Sequence, residues 1–330
     1  MRVFVCEFVT SGGLRHKALP DALLPEGTLM RDAMVRDLEN IPGVQVLLCH
    51  DDRLAPPRAD SVPVGENDDP WAIWAQLAGE AHVVWPVAPE TDGLLERLVA
   101  LARTGAARVI ASDAPALRIA GRKSLTAQHL AAAGIPHIPT YALEAMPEHL
   151  AAPLVTKPDD GAGATQTHVW RSLDALRAAH LPPAGLIVQP YVAGVAASLT
   201  VLCRPDGVTL LTANLQEIAE QEIAEDEGRL SLTGLTVGCL PDADGNFAAL
   251  ARAVVAAMPG LSGIIGMDLI VTEEGPVVVE VNPRITTSYA GLHASLGINP
   301  AAFLPELIRD GRPPTLPHLP MAVPVRVKVR

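Results

Sequence analysis

The stretch "GPVVVEVNPR", Gly275 to Arg284, places chemistry at the end of an apolar strand. Glu280 interrupts a run of valines and Asn282 follows two residues later, so on an extended chain both side chains project from one face. Arg284 comes directly after the strand-ending Pro283. In "GMDLIV", Asp268 interrupts a second apolar run, and Glu274-Gly275 supplies a turn between the two, which predicts a hairpin bringing Asp268 beside Glu280 and Asn282. Carboxylate and carboxamide oxygens are hard ligands suited to Mg²⁺, which usually keeps waters and bridges protein carboxylates to substrate phosphates. Acids on a sheet face open to water would give the same letters. Three oxygen-bearing residues within apolar strands argue for a site, because an unpaired buried charge is costly. Arg284 can offer a bidentate fork to phosphate or carboxylate, or simply lie on the surface.

A second stretch, "VTKPDDGAGATQ", delivers Lys157 at the end of a short strand and follows it with Gly161 and Gly163. Glycines let the backbone approach a ligand and offer N–H groups to anionic oxygen. The order differs from a P-loop, since the lysine precedes the glycines, and the segment would also serve as an ordinary hairpin loop. Lysine usage adds weight: of 25 basic residues only Lys17, Lys123, Lys157 and Lys328 are lysines. Where arginine is so preferred, lysine persists at sites that suit a compact ammonium.

The elements that must hold these residues fall into three parts. Residues 1–112 alternate short strands ("RVFVCEF", "VQVLLCH", "AHVVWPV", "ARVIAS") with helical stretches ("TLMRDAMVRDLEN", "PWAIWAQLAG", "TDGLLERLVALART"), which predicts a parallel, Rossmann-like α/β sheet, with Asp51 to Asp69 as a Pro/Asp-rich excursion. Residues 113–190 open with helical signal up to Gly134 and an extended "IPHIPTYAL", then give strand, Gly-rich loop, strand, helix and strand, an α+β subdomain. Residues 191–330 mix longer strands with helices at "FAALARAVVAAM" and "AAFLPELIRD", a second α+β subdomain closed by a strand in "MAVPVRVKVR". The acidic "EIAEQEIAEDEG" reads as a solvated turn or short helix.

Taken in order, a lysine before "GIPHIPT", a strand lysine before a Gly-rich loop, a hinge strand, then Asp and Glu-x-Asn, the segment from about 113 to 290 resembles the ATP-grasp superfamily. That resemblance implies an ATP-grasp fold with an N-terminal preATP-grasp domain and two subdomains clasping ATP. It implies that Lys123 and Lys157 contact the nucleotide phosphates, Gly161 and Gly163 close over them, and "VQPYV" is the adenine hinge, with the Pro190 carbonyl and Val192 N–H on the base edge and Gln189 and Tyr191 beside them. Asp268, Glu280 and Asn282 correspond to the ligands of Mg²⁺, with Mn²⁺ as the alternative ion, and Lys157 and Arg284 to catalytic groups steadying the transferred phosphoryl or acyl intermediate. Many members follow the hinge with a glutamate for the ribose, whereas "GVAAS" puts Ala196 there, leaving Ser198 or another residue to substitute.

The stretches "CEFVTSGG", "GVAAS", "NLQ" and "NPRITTSYAGL" are similar to the tyramine–glutamate ligases of methanofuran and methylofuran synthesis. The activity implied is ATP-dependent carbon–nitrogen ligation through an acyl phosphate, glutamate with tyramine. The alternatives are another ligase or a carboxylase on the same scaffold, or a non-catalytic ATP-binding sensor. Glu7, Ser11, Gly12 and Gly13 could meet the acceptor or form a plain turn, and Thr286, Thr287, Ser288 and Tyr289 could orient an amino-acid substrate or bond their own backbone. The histidines are dispersed, with His293 alone near the metal loop, and no Ser/His/Asp or Cys/His arrangement is evident. A formal charge of −12 without a long basic run argues against nucleic acid or acidic membrane as partner, leaving small-molecule carboxylate and amine substrates and an open question of homo-oligomerisation. The N-terminus lacks a cleavable-signal pattern and no charge-free run reaches spanning length, so the expectation is a cytoplasmic protein. The four cysteines lack a CxxC pair and read as reduced core thiols.

Overall fold

The computed structural model describes residues 1–182, 184–308, 314–317 and 319–329. Its N-terminal part runs β1 (Arg2–Glu7), α1 (Leu23–Glu39), β2 (Gln45–Asp51), β3 (Ser61–Val64), α2 (Pro70–Glu80), β4 (Val83–Val87), α3 (Leu94–Ala102) and β5 (Arg108–Val109). The five strands form one sheet in the order β3-β2-β1-β4-β5, every pair parallel. Alternation along β1 explains the layers. Val3 and Val5 pack with Met30, Met34 and Leu38 of α1, while Phe4 and Cys6 pack with Trp74, Leu77, Leu95 and Leu98 of α2 and α3. Both faces are thus covered, as a parallel sheet requires. The strand β3 lies inside the Asp51 to Asp69 excursion and is an addition to the sequence reading. Pro63 removes one backbone donor, which is tolerated because β3 is the sheet edge.

The chain continues through α4 (Ala114–Ala120), α5 (Lys123–Ala132), β6 (Tyr141–Ala142), β7 (Leu154–Pro158), β8 (Thr167–Trp170), α6 (Leu173–Ala178) and β9 (Leu186–Pro190). The helical signal up to Gly134 is two helices, broken at Gly121-Arg122, where Arg122 is extended. Then come β10 (Val195–Arg204), β11 (Gly207–Ala224), β12 (Glu227–Val237), α7 (Asn246–Ala257), β13 (Gly263–Thr272), β14 (Gly275–Asn282), α8 (Tyr289–Leu296) and β15 (Val325–Lys328). These strands build a second sheet, β14-β13-β10-β11-β12-β8-β7-β9-β6, with β15 beside β12. Its ladders are antiparallel. The start of β12 pairs with β8, from Glu227 opposite Trp170 to Leu230 opposite Thr167, and joins β6–β9 to β10–β14 in one continuous sheet.

Two expectations are corrected. "EIAEQEIAEDEG" is not a helix and mostly not a turn: it continues β11 as an exposed strand to Ala224, nearly every residue having a partner on β12, and the turn is confined to Glu225-Asp226. "AAFLPELIRD" is not one helix: Pro305 splits it into two short 3₁₀ turns, Pro300–Phe303 and Pro305–Leu307, and its last two residues lie outside those described. Among the described residues no helix is long and apolar enough to cross a membrane.

Candidate active site

Lys123, Lys157, Gly161, Gly163, Asp268, Glu280, Asn282 and Arg284 all line one open cleft between the Gly-rich loop and the β13–β14 hairpin. The hairpin register does what the spacing predicts. Asp268 stands opposite Glu280 and Gly266 opposite Asn282, so the three oxygen-bearing side chains share a face. A bulge after Asp268 leaves Val279 as an extra residue, and both Val279 and Glu280 meet the cleft. The lysines converge through Asp159, at the end of β7. Its carbonyl accepts the Lys123 N–H at 2.9 Å, and its carboxylate accepts the Ser124 N–H at 2.7 Å and the Ser124 hydroxyl at 2.8 Å, which ties the start of α5 to the Gly-rich loop. The Lys123 ammonium then donates to the Gly161 carbonyl at 2.7 Å.

Glu280 is the hub of the charge. Its Oε2 lies 3.3 Å from the Lys123 ammonium and 3.5 Å from that of Lys157, both lysines being buried. Burial would raise the Glu280 pKa, but the two ammoniums outweigh it and hold the carboxyl down to about 2. Asp268 responds oppositely: burial, then the Glu280 charge, push it up to about 7. Its oxygens accept the carboxamides of Gln216 at 2.9 Å and Asn282 at 3.2 Å. Burial lowers the Lys157 pKa, with the neighbouring Lys123 adding to the effect and Glu280 opposing it. Two cations, one firm anion and one titrating anion leave this corner with spare positive charge, which suits a polyanion.

Arg284 is buried beside Glu90, donating to its Oε2 at 2.8 Å. Burial opposes the guanidinium charge, yet Glu90 more than compensates and raises the arginine above its ordinary range. Thr286, Thr287 and Ser288 also line the cleft, which Gly266 permits, since a Cβ there would come within 2.4 Å of Thr286. They are held by a buried hydroxyl chain in which Ser288 bonds Thr286 and Thr200 at 2.9 Å each and Asn214 donates to Thr200 and Ser198 at 3.2 Å. Ala196 and Ser198 lie on the cleft floor.

Other candidates lie elsewhere. Gln189 is buried with its amide donating to the Thr140 hydroxyl at 2.9 Å, the Tyr191 N–H donates to the Pro153 carbonyl at 2.9 Å, and Gln189, Pro190, Tyr191 and Val192 are not among the residues lining the cleft. Tyr289 starts α8, is fully buried edge-on against Trp85 and is not among the residues lining the cleft. His293 turns to Asp37, 2.6 Å from its carboxylate. Glu7 caps its own turn, accepting from the Thr10 N–H and hydroxyl at 2.8 and 2.7 Å, and Gly12 and Gly13 pack against Val64 and Phe8. The sequence reading missed Glu26 and Glu90, single polar residues with no local motif, and quoted Gln216 only within "NLQ", without a role.

The donor set was weighed against a metal ion on its own chemistry. Among the described residues no group of three His, Cys, Asp or Glu side chains gathers to form a dedicated cage. Two carboxylates and a carboxamide on paired strands fit the other arrangement, a hard divalent ion that completes its shell with water and phosphate oxygen.

Comparison with known proteins agrees with this architecture. Residues 120–288 match the family model of the ATP-grasp domain, and residues 44–117 that of the pre ATP-grasp 3 domain. The first match spans just over half of the chain, and the chain belongs to the ATP-grasp family, whose enzymes are ATP-dependent ligases and carboxylases. No curated protein matches the sequence. Among solved structures, an ATP-grasp superfamily protein from Archaeoglobus fulgidus is similar at a TM-score of 0.71 and 20% identity, over 92% of this chain and 87% of that one. An L-amino acid ligase from Bacillus licheniformis is similar at 0.65 and 16%, over 94% and 77%. The biotin carboxylase domain of the Hydrogenobacter thermophilus 2-oxoglutarate carboxylase, solved with MgADP and bicarbonate, is similar at 0.63 and 15%, over 89% and 69%. These likenesses establish the ATP-grasp fold with its pre-ATP-grasp domain.

Proposed function

We propose that the chain is an ATP- and Mg²⁺-dependent carboxylate–amine ligase that forms an amide through an acyl phosphate. The observation that carries this is the convergence of Lys123 and Lys157 on Glu280, within one cleft that also holds Asp268, Asn282 and Arg284. Two buried ammoniums would neutralise the triphosphate, and Gly161 and Gly163 would let the loop backbone close on it. Asp268, Glu280 and Asn282 would hold Mg²⁺, or Mn²⁺, which when bound supplies charge neutralisation at the transferred phosphoryl. The Pro190–Val192 stretch would meet the base; β9 is the direct neighbour of β7, the Lys157 strand, which supports this placement.

The chain's residues act by position and charge. Arg284, kept protonated by Glu90, would orient the donor carboxylate toward the γ-phosphorus and hold the acyl phosphate that results. An amine then attacks the activated carbonyl, giving amide and phosphate. We take glutamate as the donor and tyramine as the acceptor, in methylofuran synthesis, on the similarity of "CEFVTSGG", "NLQ" and "NPRITTSYAGL" to tyramine–glutamate ligases. The hydroxyl-rich 286–288 segment beside Arg284 supports an amino-acid donor. The test is a screen of acid and amine pairs for ADP release with mass spectrometry of the product. Glutamate with tyramine should give the amide, whereas turnover confined to bicarbonate would replace this reading with a carboxylase.

A further inference from the structure

One hydrogen bond in the cleft crosses a whole strand. In the second sheet β10 lies between β11 and β13, so the backbones that carry Gln216 and Asp268 are two strand spacings apart, about 10 Å. The Gln216 amide nonetheless donates to the Asp268 Oδ1 at 2.9 Å. The register shows the route. On β10, Ser198 stands opposite Asp268 on one side and Asn214 on the other, while Ala196 stands opposite Ile270. Gln216 follows Leu215, the partner of Ala197, and so flanks Ala196. Ala196, Ser198, Gln216 and Asp268 all line the cleft, and the glutamine therefore passes over a lane of two small side chains.

The neighbouring amide on β11 behaves differently. Asn214 stops at β10, donating to the Ser198 and Thr200 hydroxyls at 3.2 Å each, and its own oxygen accepts the Gly238 N–H at 3.0 Å. Gln216 is longer by one methylene and reaches β13. At the far side of Asp268, the Asn282 amide donates to Oδ2 at 3.2 Å. Two carboxamides, from β11 and β14, thus hold the two oxygens of one carboxylate, which cannot turn without breaking a bond. A carboxylate offers about four lone-pair sites, so these two bonds leave capacity for an ion. The buried ammoniums lie against Glu280 instead. Hydrogen bonds that fix a ligand in this way set its aim and its affinity for a metal.

We infer that Gln216 is a positioning residue for the divalent ion, that it acts through Asp268, and that the small side chain of Ala196 is what lets it reach. The inference rests on the reading of Asp268 as a ligand of Mg²⁺ and deepens it. It also gives the alanine at 196 a role of its own, since a larger side chain there would stand in the path of the amide.

The test uses the full chain and measures ADP affinity by calorimetry with Mg²⁺ and again with a chelator, so that the readout is the gain in affinity the ion brings. Gln216→Met keeps the length and loses the donor; it should cut that gain about 10-fold, the low end for loss of a bond that orients a metal ligand. Gln216→Asn keeps the donor but is too short to cross β10, and should cut it as much. Ala196→Leu obstructs the lane and should act alike, while adding it to Gln216→Met should cost less than about twofold more, because both changes remove one contact. A merely structural role would weaken ADP equally with and without the ion. That result, or additive losses in the double variant, would overturn the inference and leave the ligase reading standing. A wild type whose ADP affinity does not rise with Mg²⁺ would overturn the inference and the metal assignment together. A wild type that shows the gain, with the losses in the variants, but releases ADP with no acid and amine pair would reject the ligase reading and still uphold the role of Gln216.

Discussion

Replacing Glu280 by Gln removes the counter-charge of two buried lysines. At 3.3 and 3.5 Å, and with an effective dielectric constant near 20, each pair is worth about 5 kcal/mol of gross attraction. Desolvation offsets most of that, and loss of one partner from a buried pair costs about 3–5 kcal/mol. Two local responses pull the expected cost to the lower end. Asp268, pushed up to about 7 partly by the Glu280 charge, would ionise more fully once that charge is gone, and Lys157, already lowered, would release its proton more readily. The variant should therefore unfold in urea with a loss of about 3 kcal/mol at pH 7, shrinking as pH rises. Adding Asp268→Asn should cost more than the sum of the single changes, since the lysines then have neither acid. ATP without metal should stabilise Glu280→Gln more than it stabilises wild type, because the triphosphate replaces the missing anion. Loss below about 0.5 kcal/mol, the scatter expected of an ordinary surface change, or an equal ATP effect in both proteins, would refute the reasoning.

Three further outcomes are expected. Glu90→Gln strands the buried Arg284 charge and should lower stability in urea by about 3–5 kcal/mol. Burial raises the pKa of Glu7, so the folded state binds its proton more tightly than the unfolded one; wild type should lose stability relative to Glu7→Gln as pH rises through the range between those two pKa values, and parallel pH–stability curves would contradict this. Burial pushes the Cys203 thiol up to about 12 and also raises Cys6, whereas Cys239 is only partly buried; a thiol reagent at pH 8 should label Cys239 first in the native protein and all four cysteines in urea, as peptide mapping would show.

What the sequence makes legible is what is encoded within a few residues. The alternation of β1, the Glu-Gly turn between β13 and β14, and the identity period that puts Asp268, Glu280 and Asn282 on one face are all local patterns. The Glu-Ile-Ala repeat misleads for a physical reason: charge suggests a solvated turn, but β12 offers a ladder along its whole length, and that tertiary pairing decides the matter. The site contacts of Gln216, Glu90 and Glu26 are not legible because their partners Asp268, Arg284 and Thr287 lie 52, 194 and 261 residues away. No periodicity or motif at Glu26, inside an ordinary helix start, announces that it will face the Gly-rich loop.

The central claim is that ATP activates a substrate carboxylate in this cleft before an amine takes the acyl group. Its most direct measurement is transfer of heavy oxygen from carboxyl-labelled L-glutamate into inorganic phosphate during turnover with tyramine. The account predicts a labelled oxygen in each phosphate for each ADP formed. Phosphate with no labelled oxygen, its fourth oxygen taken from solvent, would contradict it.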